Sequence, residues 1–260
     1  MKYKTIEVKK ENNLATVILN RPDVHNAMNE ELMKELTMCF NDLSTDKNTR
    51  IIILTGNGKS FCAGADLNWM KSMASYSKEE NIQDSKLLLD LYESIYNCPK
   101  PVIGRINGHA FGGGLGLITV CDLTIGVPGK KFAFSEAKLG IIPSVISTYI
   151  VRRIGLANMR RLFITGERFT SNHAKDIGIL DYVVPEEEFD ETVQKYADQL
   201  RSSGPIAIKE VKNLISKCEH MDRETYKKFT VKKIAELRVT KEGQEGINAF
   251  LEKRKTTWSE

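Results

Sequence analysis

The run Ile51-Ile52-Ile53-Leu54-Thr55, closed by Gly56-Asn57-Gly58, constrains this chain more than any other feature. Its side chains are apolar whichever way they point, so it reads as a strand covered on both faces. Such strands belong to parallel sheets with helices packed against them. The flanking segments agree. Residues 3–8 and 14–19 surround the polar Glu11-Asn12-Asn13 and predict a hairpin. Asn29 caps a predicted helix that places Leu32, Met33, Leu36 and Phe40 on one face. A second helix is predicted over 79–97, broken by Pro99 and Pro101 before a strand over 102–106. Strands over 122–126 and 131–134 come next, divided by Pro128-Gly129. Strands spaced by helices imply right-handed crossovers and a mainly parallel sheet. After about residue 185 only amphipathic helices are predicted, over 187–200, 206–218, 223–237 and 244–255. No internal repeat is visible. The plan is an α/β core over 1–190 and a helical region over 191–260.

Composition excludes several classes. The 260 residues hold 38 Lys or Arg against 34 Asp or Glu, a net charge of +4 and a poor footprint for nucleic acid. The excess is local: residues 201–260 carry 14 basic against 9 acidic side chains, a set of solvated helix faces or a surface for a small polyanion. Lys227, Lys228, Lys232 and Lys233 have only Tyr226 and Phe229 interleaved, so no nucleic-acid partner is expected. No apolar run reaches the roughly 20 residues of a membrane span, and the opening MKYKTIEVKKENN lacks the apolar centre of a secretory signal. Cys39, Cys62, Cys98, Cys121 and Cys218 show no metal-ligand spacing, which predicts free thiols and no metal. A soluble cytoplasmic protein without a membrane partner is expected.

Three segments stand where strands hand over to helices. They are Ser60-Phe61-Cys62-Ala63-Gly64-Ala65-Asp66-Leu67, Ile106-Asn107-Gly108-His109-Ala110-Phe111-Gly112-Gly113-Gly114-Leu115-Gly116-Leu117, and Phe134-Ser135-Glu136-Ala137-Lys138-Leu139-Gly140. Small residues at a helix start let a ligand approach N–H groups that have no partner in the helix. One N–H from each glycine turn, converging on a point, would hold a developing oxyanion. Tight packing is the alternative for such turns. Neither turn has the Gly-Lys-Ser/Thr of a phosphate loop or the spacing of a dinucleotide fold. Glu136 stands in an apolar stretch, where desolvation would raise its pKa and suit it to proton transfer. An ion pair with Lys138 is the alternative there. His109 is expected to pack or hydrogen-bond under its turn, Cys62 to be structural, and Trp69 and Met70 to line an acyl pocket or the core.

In this order and spacing, the segments resemble the enoyl-CoA hydratase/isomerase (crotonase) superfamily. The resemblance runs from Leu19-Asn20-Arg21-Pro22 and Asn26-Ala27-Met28 to Ala249-Phe250-Leu251-Glu252-Lys253. It implies a crotonase-like ββα superhelix, a spiral of repeated ββα units, with a helical C-terminal trimerisation region. It implies homotrimers, commonly stacked into hexamers, and an acyl-CoA substrate with no separate cofactor. By the same resemblance, the N–H groups of Ala65 and Gly113 polarise the thioester carbonyl. Ala63, Gly64, Asp66 and Leu67 lie beside the CoA arm with Trp69 just beyond, Arg21 and Asn26 border the CoA nucleotide, and Phe250 and Lys253 reach a CoA site, often in the next subunit. Glu136 matches the second of the two glutamates that hold water in well-known hydratases. Gly116 stands at the first. A single carboxylate suits isomerisation, or protonation of an enolate after decarboxylation. Against that, Asp66-Leu67-Asn68-Trp69-Met70, the glycine run and Ile142-Pro143-Ser144-Val145-Ile146-Ser147 resemble a bacterial subgroup described as methylglutaconyl-CoA or carboxygeranoyl-CoA hydratases. In that setting the Ser144 and Ser147 hydroxyls either replace part of a water ligand or cap a helix.

Overall fold

The chain, a computed structural model describing residues 3–259, opens with the hairpin β1 (Ile6–Glu11) and β2 (Leu14–Leu19). The strands pair antiparallel from Ile6 opposite Leu19 to Glu11 opposite Leu14. Asn12 and Asn13 both take positive φ, 48° and 64°, a turn geometry that matches strand twist and allows pairing up to the turn itself. The first strand therefore lies nearer the turn than its apolar pattern suggests. Helix α1 (Glu30–Thr45) starts where Asn29 accepts a hydrogen bond from the Leu32 N–H, and it buries Leu32, Met33, Leu36 and Phe40 as expected.

Beyond α1 the chain builds a structural repeat. Strand β3 (Ile51–Gly56) leads to β4 (Ser60–Cys62), then to α2 (Leu67–Met73) and α3 (Lys78–Tyr96). Strand β5 (Val102–Ile106) leads to β6 (His109–Phe111) and α4 (Gly113–Thr119). Strand β7 (Leu123–Gly126) leads to β8 (Lys131–Ala133) and α5 (Ser144–Thr165). Each unit gives its first strand to one sheet and its second to another. After β9 (Phe169–Thr170), α6 (Ser171–Asp176) and β10 (Tyr182–Val183), the sheets have the orders β1-β2-β3-β5-β7-β10 and β4-β6-β8-β9. Every pairing is parallel except β1 with β2 and β8 with β9.

The ββα spiral is thus present, although no repeat is visible in the letters. Strands of three residues are too short to show alternation, and the units differ in length because one carries both α2 and α3. Helix α5 also has no signature, since Gly155 (φ 68°) interrupts it. The all-apolar strand β3 is buried along its whole length. One side of its sheet faces the main core of α1, α3, α4 and α5 residues. The other faces Phe189, Val193 and Ala197 of α7 (Phe189–Ser202). The expected division at residue 190 falls inside this sheet-packed helix.

The remaining helices are α8 (Pro205–His220), α9 (Arg223–Arg238) and α10 (Lys241–Leu251). Lys212 to Asp122 at 2.7 Å and Arg152 to Glu219 at 3.0 Å tie α8 to the core. Meanwhile Val211, Ile215, Val231, Ile234, Val239, Phe250 and Leu251 are exposed. The last helix stops before 255 because Lys253 takes a left-handed φ of 54°. Among the described residues, no helix is long and apolar enough to cross a membrane.

Candidate active site

The two glycine turns meet through their strands. β4 and β6 lie side by side and parallel, with Cys62 opposite Ala110. Three residues beyond each partner come Ala65 and Gly113, at matching places past the strand ends. The contact is backbone on backbone. A Cβ on Gly64 would lie 2.8 Å from the Phe111 carbonyl oxygen, and one on Gly114 2.4 Å from that of Cys62. Gly64 also has φ +90°. Only glycine fits there.

Backbone bonding around the first turn is nearly complete. Ala63 N–H donates to His25, Met28 N–H to Gly64 and Asp66 N–H to Met28. Ala65 N–H, between them, has no acceptor among the described residues. In the second turn Gly112 N–H donates to Ala133, whereas Gly113 N–H, at the first position of α4, has no acceptor either. Two free donors therefore stand on adjoining turns, as an oxyanion site requires.

Glu136 approaches the same place from the third segment, at the start of a single 3-10 turn, Glu136–Leu139. Its Oε1 would be 3.1 Å from a Cβ on Gly112, whose φ of +50° also favours glycine. Its Oε2 is buried without a hydrogen-bond partner. Burial raises the carboxyl pKa, offset only by Glu136's own backbone N–H. The alternative ion pair with Lys138 is not formed; the Lys138 stem packs at Gly166 instead.

Gly116 is buried, and a Cβ there would lie 2.6 Å from both Ile146 Cγ2 and Tyr92 Cζ. Ring and branched side chain thus fill the place from which a first glutamate would project. Gly116 supplies shape, and no chemical group. Ser147 donates its hydroxyl to the Ser144 carbonyl of the same helical turn, and Pro143, ahead of Ser144, occupies the cap position of α5.

The residues matched to the CoA arm divide. Leu67 is 74% exposed and Ala63 half-buried beside the turn. Asp66 caps α2 by accepting from the Asn68 and Trp69 N–H groups, and it pairs with Arg21 at 2.9 Å. Burial works to raise its pKa, but Arg21 and those N–H donors outweigh it and hold the carboxyl low. Arg21 also donates to the Ala27 carbonyl, so its charge is already met. Trp69 donates to Asp84 at 3.0 Å and is half-buried against the core, bridging α2 to α3. Asn26, in the same segment as Arg21, turns inward. It is 0% exposed, accepts from Arg21 N–H and donates to the Asn57 and Ser60 carbonyls. It clamps the segment from beneath. Phe250 (83% exposed) and Lys253 lie on or just past α10, which no hydrogen bond or ion pair joins to either glycine turn among the described residues.

Burial pushes the Cys62 thiol up to about 12, so it stays protonated and inert. His109 Nδ1 accepts from Lys131 N–H at 2.9 Å, beneath its turn. No group of three or more metal-ligating side chains occurs among the described residues. Tyr92 is the functional neighbour that sequence reading misses, because on α3 it is indistinguishable from a core aromatic. It is wholly buried and donates to the Gly113 carbonyl at 2.8 Å.

Comparison with known proteins places this architecture. The Enoyl-CoA hydratase/isomerase family model matches residues 9–260. A short-chain-enoyl-CoA hydratase of Clostridium acetobutylicum is 32% identical over 98% of this chain and 97% of its own length. A crotonyl-CoA hydratase of Syntrophomonas wolfei is 31% identical over 99% of each. The crystal structure of an enoyl-CoA hydratase from Shewanella pealeana superposes with a TM-score of 0.95 at 36% identity, covering 99% of this chain and 97% of that one. From the spiral to the final helix, the chain belongs to the enoyl-CoA hydratase/isomerase family.

Proposed function

We propose that the chain hydrates a short or branched 2-enoyl-CoA, methylglutaconyl-CoA-like in its acyl group. The observation that carries this reading is the buried Glu136 Oε2, which has no hydrogen-bond partner and is set against the turn that bears the free Gly113 N–H. The thioester oxygen would sit between the Ala65 and Gly113 N–H groups, which bind the enolate-like transition state better than the substrate. Glu136 takes a proton from water as the hydroxide oxygen bonds to C3. The electron pair moves to the thioester oxygen, and Glu136 returns the proton to C2. One water is added, and no cofactor beyond the CoA carried by the substrate takes part. Relatives bearing hydratase names at 31–32% identity over nearly full length support this direction.

Isomerisation is the second reading, favoured by the side chains that fill the Gly116 face. Glu136 would then move a proton from C2 to C4 of a 3-enoyl-CoA. Protonation of an enolate after decarboxylation uses the same parts.

In this reading residues 1–190 carry the chemistry, and 191–260 assemble the chain into a homotrimer or a hexamer of two trimers. The outward apolar side chains of α8 to α10 support that assembly. Leu67, Ala63 and Gly64 flank the CoA arm, and Phe250 and Lys253 serve a neighbour's site.

The test is turnover of 3-methylglutaconyl-CoA, crotonyl-CoA and a 3-enoyl-CoA by wild type and Glu136→Gln. The substitution should lower kcat by roughly 100-fold or more, with acyl-CoA binding retained. Near-normal turnover would remove Glu136 from the mechanism.

A further inference from the structure

Gly112, Gly113 and Gly114 stand consecutively at the start of α4. Three glycines leave a backbone free to rotate, yet an amide that binds developing charge must be held in place beforehand. Among the described residues, one side chain hydrogen-bonds this run: the Tyr92 hydroxyl, donating to the Gly113 carbonyl at 2.8 Å. The same ring stands where any side chain at 116 would begin, 2.6 Å from a Cβ there, with Ile146 at an equal distance. The ring packs edge-to-face against Tyr149, with centroids 5.8 Å apart, which braces it from that side.

We propose that Tyr92 is a positioning residue for the reaction: its hydroxyl holds the Gly113 carbonyl, one Cα along from the peptide that bears the Gly113 N–H, and its ring with Ile146 walls off α4 so that no second carboxylate projects from position 116. The inference rests on the hydratase reading above and deepens it. Tyr92 touches neither water nor ligand: it is 0% exposed. Burial, and then the neighbouring Cys62 and Glu136, raise its pKa well above the ordinary phenol value. The hydroxyl therefore stays protonated and acts only as a donor.

The experiment compares wild type, Tyr92→Phe and Tyr92→Leu in three readouts. These are kcat and KM on the best acyl-CoA of the panel, the pH profile of kcat, and the absorbance red shift of a bound aryl-conjugated 2-enoyl-CoA thioester, which reports how strongly the carbonyl is polarised. Tyr92→Phe should lower kcat by about 10-fold, less than the loss of a direct donor, with KM within about twofold. The red shift should shrink, and the pH profile should keep its shape because Tyr92 does not titrate there. Tyr92→Leu should shrink the shift as well, so whichever variant folds decides the matter. A wild-type red shift and kcat in a folded variant would overturn the proposal, as would a loss confined to KM. Wild type that shifts the probe but turns over no acyl-CoA would refute the hydratase reading while leaving the clamp testable by the shift alone.

Discussion

Gly116→Ala is the smallest change that tests how the single-carboxylate site is built. The new methyl would lie 2.6 Å from Tyr92 Cζ, 2.6 Å from Ile146 Cγ2 and 2.7 Å from Tyr92 Oη. Carbon atoms in contact prefer about 3.5–4.0 Å, so each neighbour must retreat by about 1 Å. Neither has room. Tyr92 is held by the Gly113 carbonyl and by Tyr149, and Ile146 is buried on α5. Overpacking of this kind costs roughly 1–3 kcal/mol, and the rigid surroundings favour the upper end. Alanine returns about 1 kcal/mol of helix propensity. The net loss is about 2 kcal/mol, a fall in melting temperature of about 4–8 °C for a chain of this size. Calorimetry measures it directly. The cause is checked by adding Tyr92→Leu, which removes the ring and should recover at least about 1 kcal/mol beyond additivity. An unchanged or higher melting temperature for Gly116→Ala would refute the reasoning, since the side chains would then yield and the face would be open to a carboxylate.

Two further predictions concern stability and assembly. Because burial raises the Glu136 pKa in the fold, its contribution to stability is fully present below the unfolded value of about 4.3 and is lost as pH rises through the folded value. Glu136→Gln should therefore melt higher than wild type at pH 8, and the gap should close as the pH is lowered toward about 4.3; a constant gap would contradict this. On the proposed trimer, Phe250→Asp should shift sedimentation toward monomers without unfolding the α/β core, and an unchanged sedimentation coefficient would remove Phe250 from the proposed contact.

Legibility in the sequence tracked the source of each constraint. The turns at Gly64 and Gly112–Gly114 could be read because their requirement is backbone conformation and close approach, which only glycine meets. Glu136 could be read because a carboxylate in an apolar stretch is rare and costly. Tyr92 could not, because an aromatic on a helix's inner face carries the same signature whether it fills a core or clamps a peptide. The inward hydrogen bonds of Asn26 are hidden for the opposite reason. Its polar side chain suggests a ligand contact, whereas a left-handed φ of 55° and three hydrogen bonds employ it inside the fold. In the second sheet the strand over 131–134 could be read, whereas β4 and β6 escaped because strands of three residues leave no period to detect.

Ala65 and Gly113 each stand three residues past a paired position of the ladder between β4 and β6, Cys62 and Ala110. Neighbouring strands sit about 4.8 Å apart whatever their side chains are. In the proposed mechanism the pitch of the main chain, and no side chain, therefore sets the two donors side by side. Side chains around the turns can change without altering that pitch, so the two donors would keep their spacing through substitutions that leave the β4–β6 pairing intact.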